Sequence, residues 1–161
     1  MLLFGLRAQP FFYEKNRAFW TLQTVGWTFY LLLRMASGVG NGFGLSFAIP
    51  VLVSAATGYS ITLVMGALYR WLIKLKPIAT WTGTLITIIM GVAVYSAIDA
   101  WVFSLINGES TPFSSRLLLG TLTISSLLIG AWSALYYGIN FYLIVEQQAD
   151  AFAQRRQSGR A

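Results

Sequence analysis

The sequence predicts an all-α protein: an integral membrane four-helix bundle with both termini in the cytoplasm. Hydrophobic residues form 57% of the chain and charged residues only 10%, whereas soluble domains carry about 25% charged residues. Four apolar segments are long enough to cross a bilayer, which takes about 20 helical residues. Lys and Arg concentrate at alternate ends of these segments, as in multi-pass membrane proteins.

We interpret residues 1–17, in which apolar and aromatic residues surround Pro10, as an interfacial segment. It lacks the basic start, long apolar run and small-residue cleavage site of a secretory signal. The first predicted span, 18–36, has Gln23 as the main polar side chain of its interior. Glycines then alternate with other residues through 37–44, and this pattern favours a turn over regular helix.

The second predicted span, 45–73, carries Pro50 in its first turns, where a missing amide hydrogen costs little. A short basic link that ends at Pro77 separates it from the third predicted span, 78–106. The segment 107–112 contains Asn-Gly and Pro, which predict a turn.

The fourth predicted span, 116–145, is followed by a cytoplasmic exit helix or tail at 146–161, and the stretch 139–157 contains neither Gly nor Pro. At 1.5 Å per residue the helix would reach about 15 to 20 Å into the cytoplasm. Val145, Ala149 and Phe152 are spaced by four and three, as at the start of a heptad seam. Such a helix passes motion or dimerisation to a cytoplasmic domain, and an ordinary amphipathic tail is the alternative.

Basic residues predict the orientation, because Lys and Arg favour the cytoplasmic side of a membrane. The N-terminus, the middle link and the C-terminal tail would hold nine of the 11 Lys and Arg residues. These nine are Arg7, Lys15, Arg17, Arg70, Lys74, Lys76, Arg155, Arg156 and Arg160. Only Arg34 and Arg116 would lie on the outer side.

The composition also limits the chemistry. The chain contains no Cys and no His, so disulfides, the common zinc and haem ligands, and Cys or His nucleophiles are excluded. The acidic residues other than Asp99 are scattered over links and ends, so we expect no catalytic residue, no cofactor and no metal site. We interpret the net charge of +6 as anchoring beside anionic lipid, not as nucleic-acid binding, since the charges lie between apolar spans.

Small residues recur every four positions in three of the predicted spans. In lipid, helices associate through close backbone approach, so these stripes predict contact faces, either within the bundle or between two chains. The stripes are Ser54, Gly58, Thr62 and Gly66; Gly83, Thr87 and Gly91; and Ser126, Gly130, Ala134 and Gly138.

Asp99 is the acidic residue inside a predicted span, where a charge is costly unless it has a partner or a function. Arg34 ends the first span at a similar depth, and Arg116 opens the fourth span on the same side. We expect an Asp99–Arg34 or Asp99–Arg116 pair, and a ligand or proton site at Asp99 is the alternative.

The segment 16–27 carries Phe-Trp, Leu-Gln and Gly-Trp pairs before an apolar run, and the segment 132–138 is followed by Glu146-Gln147-Gln148. These segments resemble the opening span, and the last span with its exit helix, of sensor histidine kinases of the LytS/AlgZ-like type. The resemblance implies a dimeric signalling domain in the bacterial cytoplasmic (inner) membrane. In that family the exit helix leads to a phosphotransfer region and an ATP-binding domain, whose His and ATP-binding motifs have no counterpart here.

Two function hypotheses follow. The first is a transmembrane sensor or signalling domain of a two-component histidine kinase, either a fragment or a stand-alone relative. The second is an accessory structural subunit that packs against a larger membrane protein complex. The expected partners are therefore the lipid bilayer and either a second copy or a larger complex. A small carrier or channel is least favoured, because intramembrane polar groups are few.

Overall fold

The computed structural model describes residues 15–108 and 114–158. Within these residues the chain is all-helical and without strands, which confirms the predicted all-α class with four long helices. The helices are α1 (Lys15–Gly40), α2 (Ala48–Leu72), α3 (Pro77–Asn107) and α4 (Ser115–Ser158), and a 3₁₀ turn at Leu45–Phe47 precedes α2. Most of the predicted interfacial segment 1–17, most of the predicted turn at 107–112, and Arg160 lie outside the described residues.

The first helix is longer than the sequence pattern predicts. It continues past Ala36 to Gly40, although the alternating glycines favoured a turn from residue 37 onward. The cause is tertiary packing: Gly38 lies so close to the Phe47 ring that a β-carbon there would collide with it. This glycine therefore allows a close approach between the end of α1 and the start of α2, and it remains helical.

The link between α1 and α2 is correspondingly short. The Asn41 amide and side chain both donate to the carbonyl of Ser37, which ends the helix. Gly42 follows with a φ of +74°, a left-handed conformation that glycine adopts without steric cost. The predicted turn chemistry is thus present, but within 41–44.

The second link is also closed by specific contacts. Pro77 is the first residue of α3, a position where its fixed φ suits the helix. The Thr80 hydroxyl donates to the carbonyl of Leu72 at 2.7 Å, which joins the end of α2 to the first turn of α3. Pro50 lies in the first turn of α2, as expected.

The longest helix, α4, runs for 44 residues, about 66 Å at 1.5 Å per residue. It contains the predicted fourth span, 116–145, and residues 146–158 of the predicted exit helix without interruption. It packs mainly on α3, while α2 packs on both α1 and α3.

The bundle is apolar outside and carries polar groups inside. Gln23, Thr62 and Ser125 are fully buried, while Leu127 and Phe141 are each 70% exposed. In water this distribution would expose a large apolar surface, whereas lipid accommodates it. Among the described residues, three helical segments are long and apolar enough to cross a membrane: Leu45–Leu72, Pro77–Ile106 and Ser115–Arg156.

Candidate functional site

Four polar side chains meet inside the bundle near the end that carries the link 41–44, here called the first-link end. The Ser54 hydroxyl donates to Oδ1 of Asp99. A hydroxyl has one hydrogen, so the Ser54 oxygen accepts from its two tyrosine neighbours, Tyr95 at 3.2 Å and Tyr30 at 3.4 Å. This network joins α1, α2 and α3 around one serine.

Asp99 therefore has a different partner from the one that the sequence predicted. Among the described residues, neither Arg34 nor Arg116 forms a direct ion pair with its carboxylate, although Arg34 lies close enough to attract it electrostatically. The hydrogen bond from Ser54 satisfies part of the acceptor capacity of the carboxylate. Asp99 is thereby held at the edge of the hydroxyl network.

The three charged residues selected from the sequence do line one shared cavity. It has a volume of about 420 Å³ and is walled by Arg34 from α1, Asp99 and Phe103 from α3, and Arg116 and Leu117 from α4. The structure thus brings these three residues around one space, without a direct ion pair between them. We call this space the charged cavity.

Arg34 lies on one side of the charged cavity, and part of its hydrogen-bonding capacity is unused. Its guanidinium carbon lies 5.8 Å from the centroid of the Phe47 ring, a distance at which a cation is attracted to an aromatic face. Its Nε is buried and has no hydrogen-bond partner. Buried donors without a protein partner are rare in folded proteins, so the Arg34 guanidinium retains hydrogen-bonding capacity beyond its contact with Phe47.

A second polar cluster ties α1 to α2 in mid-bundle. The Trp27 indole donates to the Thr62 hydroxyl at 3.0 Å, and that hydroxyl donates to Oε1 of Gln23 at 3.0 Å. The Gln23 amide nitrogen in turn donates to the carbonyl of Tyr59 at 3.2 Å. Gln23, the polar residue in the interior of the first predicted span, therefore connects α1 to α2.

The small-residue stripes of α2 and α3 face inward. A β-carbon built at each of their glycines would meet a side chain of another helix, while Ser54 and Thr62 are buried in the polar clusters. The glycines and their neighbours are Gly58 with Trp27, Gly66 with Phe19, Gly83 with Leu72, and Gly91 with Met65. Thr87 donates to the carbonyl of Gly83 within α3.

The stripe of α4 faces outward instead. Ser126, Ala134 and Gly138 are exposed, and a β-carbon at Gly130 or Gly138 would meet nothing within 4 Å. These residues do not contribute to packing inside the bundle.

The opposite end of the bundle, which carries the link 73–76, is here called the second-link end. The Tyr69 hydroxyl lies 2.8 Å from that of Ser133, and the Thr84 hydroxyl lies 2.5 Å from that of Tyr137. These hydrogen bonds fasten α4 to α2 and α3 near the point where α4 leaves the bundle.

The exit helix carries exposed apolar residues. Val145, Ala149 and Phe152 are all exposed, Phe152 by 65%. They lie on the side of α4 that also carries Ala134 and Phe141, because a helix turns by 100° per residue. The outward face of the bundle and the predicted heptad seam are therefore continuous.

Two functional candidates, Tyr30 and Tyr95, were not selected from the sequence. A signal was present: each tyrosine stands four residues before a charged residue, Arg34 and Asp99 respectively, and such positions share one helix face.

No group of three or more acidic side chains that could hold a metal ion occurs among the described residues. Comparison of the chain with protein-family models, curated proteins and solved structures gives no match.

Proposed function

We propose that the chain is a transmembrane sensor or signalling domain that reports the state of the charged cavity to the cytoplasm. The observation that carries this proposal is the continuity of α4. Near one end, Arg116 and Leu117 line the charged cavity, and the same helix continues to Ser158 beyond the second-link end. A single rigid helix transmits a tilt or rotation between two sites without an intervening hinge.

The proposal places all four helices across the membrane with both termini in the cytoplasm. The first helix, α1, is about 39 Å long at 1.5 Å per residue, and Val25, Phe29 and Leu32 on its outer face are each more than 60% exposed. Such a face suits lipid. The nine basic residues of the N-terminus, middle link and C-terminal tail support an orientation with the second-link end inside.

The hydroxyl network gives the charged cavity a connection to the rest of the bundle. Asp99 lines the cavity and accepts from Ser54, which also receives hydrogen bonds from Tyr30 and Tyr95. A change in the charge around Asp99 alters the hydrogen bonding of side chains on three helices. The position of α4 against α3 responds because both helices line the cavity.

The signalling reading agrees with the resemblance to LytS/AlgZ-like sensor histidine kinases, and it places the protein in a bacterial cytoplasmic membrane. In this proposal the chain itself performs no catalysis. Its output is the geometry of a dimer formed by the exit helices, with Val145, Ala149 and Phe152 at the seam.

Cysteine cross-linking in native membranes tests the proposal, because the chain has no cysteine of its own. Val145→Cys, Ala149→Cys and Phe152→Cys should form disulfide-linked dimers faster than Gln147→Cys, which lies on the opposite helix face. Adding Asp99→Asn should change the rates at the seam positions by about fivefold, the lower range of coupling between sites. Equal rates at all four positions, or rates that Asp99→Asn leaves unchanged, would contradict the proposal.

The outward stripe of α4 favours a second candidate function, that of an accessory subunit in a larger membrane complex. Gly130 and Gly138 leave the backbone open to close approach by a helix of another protein. Native mass spectrometry of the gently extracted protein separates the two functions. The 17.8 kDa chain in stoichiometric association with unrelated membrane proteins supports the subunit, whereas pairs of this chain support the sensor.

A further inference from the structure

We propose that the charged cavity binds a small organic anion through a single carboxylate or phosphate group held between Arg34 and Arg116. This inference rests on the proposed sensor function and names the chemical class of its ligand. It starts from the charges that wall the cavity.

The charged cavity has an excess of positive charge. Two arginines and one aspartate line it, which leaves a formal charge of +1 when all three side chains are ionised. The Asp99 carboxylate already accepts a hydrogen bond from Ser54 and forms no direct ion pair with either arginine. A single anionic group would balance the remaining charge between the two arginines.

The side chains that line the cavity also match an oxyanion. Arg34 and Arg116 both line it, and a guanidinium binds a carboxylate or phosphate through two parallel hydrogen bonds. Arg116 lies in the first turn of α4, and Ser114, just before that helix, lines the same cavity. The positive end of the helix dipole therefore adds to the attraction for an anion.

The size and lining of the cavity indicate an organic ligand. A volume of about 420 Å³ lies within the usual range for small-molecule sites. Phe103, Leu117 and Ile124 supply apolar walls beside the charged groups. A compact apolar body with one anionic group suits this combination, and such a group belongs either to a free metabolite or to a lipid headgroup.

The test uses the purified full chain in dodecyl maltoside, which contains no anionic group. Benzoate, inorganic phosphate and phosphatidylglycerol are titrated separately, and binding is followed by calorimetry and by native mass spectrometry. We expect saturable binding of at least one probe, weakened about tenfold or more by Arg34→Gln and by Arg116→Gln. Lys74→Gln removes a positive charge from the second-link end and should leave the affinity unchanged.

The outcomes distinguish the two sources. Binding of benzoate or phosphate that depends on both arginines supports a free anion, and binding of phosphatidylglycerol alone with the same dependence supports a lipid headgroup. Binding that neither substitution weakens, or no binding of any of the three, overturns the inference. Arg116 is exposed, so Arg116→Gln keeps the test decisive if Arg34→Gln fails to fold.

Comparing these titrations with the cross-linking in native membranes separates this inference from the proposed sensor function. Arginine-dependent binding that leaves exit-helix cross-linking unchanged retains the anion site and contradicts signalling. Absence of binding, with cross-linking still altered by Asp99→Asn, retains signalling and overturns the anion site.

Discussion

The indole ring of Trp27 on α1 occupies the space directly over Gly58 on α2. A β-carbon at residue 58 would overlap the outer atoms of the six-membered ring, and the indole nitrogen donates to Thr62 one turn further along α2. Gly58 and Thr62 thus form a socket that receives one large side chain. The socket explains why the small-residue stripe of α2 lies against α1.

The socket predicts the effect of filling it. Gly58→Ala should lower the free energy of unfolding by about 1–3 kcal/mol, because the added methyl group displaces a buried ring in a packed interior. Gly130→Ala is the matched control, since its β-carbon meets nothing within 4 Å, and alanine is the better helix former. Unfolding in mixed micelles with increasing dodecyl sulfate measures both. Equal effects of the two substitutions would refute the socket.

The Thr62 hydroxyl should contribute to the stability of the bundle in addition to the packing of the side chain. Thr62→Val keeps the shape but leaves both the Trp27 indole nitrogen and Gln23 Oε1 without this partner, a loss of about 1–3 kcal/mol for buried polar groups. Thr123→Val serves as the control, because that exposed hydroxyl donates only to its own helix at Leu119. A similar stability for both variants would show that the mid-bundle cluster contributes little.

The sequence was sufficient to predict four helices, since length and hydropathy determine them locally. The sequence was a poorer guide to features that depend on packing between helices. Gly38 lies in a glycine-rich segment whose composition is typical of a turn, but it remains helical because the Phe47 ring packs against it. The stripes that contain Gly58 and Gly130 have the same spacing, yet one is buried and the other faces outward. Only the tertiary arrangement distinguishes them.

The position of the charged cavity was predictable from the sequence, but the hydrogen-bond partner of Asp99 was not. Charge and depth indicated that Asp99, Arg34 and Arg116 belong at one end of the bundle. The direct hydrogen-bond partner of Asp99 is Ser54, 45 residues away on another helix. No local pattern indicates that a serine in a packing stripe points toward that carboxylate.

The Tyr69–Ser133 contact between α2 and α4 predicts a smaller loss of stability than the substitutions at Gly58 and Thr62. Tyr69→Phe removes the hydroxyl that lies 2.8 Å from Ser133 and should reduce stability by about 0.6 kcal/mol, the average for such bonds in lipid. Tyr142→Phe removes an exposed hydroxyl and should have no measurable effect. Thermal unfolding followed by near-ultraviolet circular dichroism compares them, and a loss confined to Tyr142→Phe would contradict the assignment.

The bond between Ser54 and Asp99 predicts energetic coupling between α2 and α3. Ser54→Ala alone should lower the free energy of unfolding by about 1–3 kcal/mol, because it leaves a partly buried carboxylate without its donor. In an Asp99→Ala background the same serine substitution should cost less, which gives a coupling energy of about 0.5–3 kcal/mol in a double-mutant cycle. Ser126→Ala, which removes an exposed hydroxyl on α4, should show no coupling to Asp99→Ala. Strictly additive effects of the Ser54 and Asp99 substitutions would mean that the hydroxyl network does not connect the charged cavity to the bundle interior, and the structural route proposed for signalling would then fail.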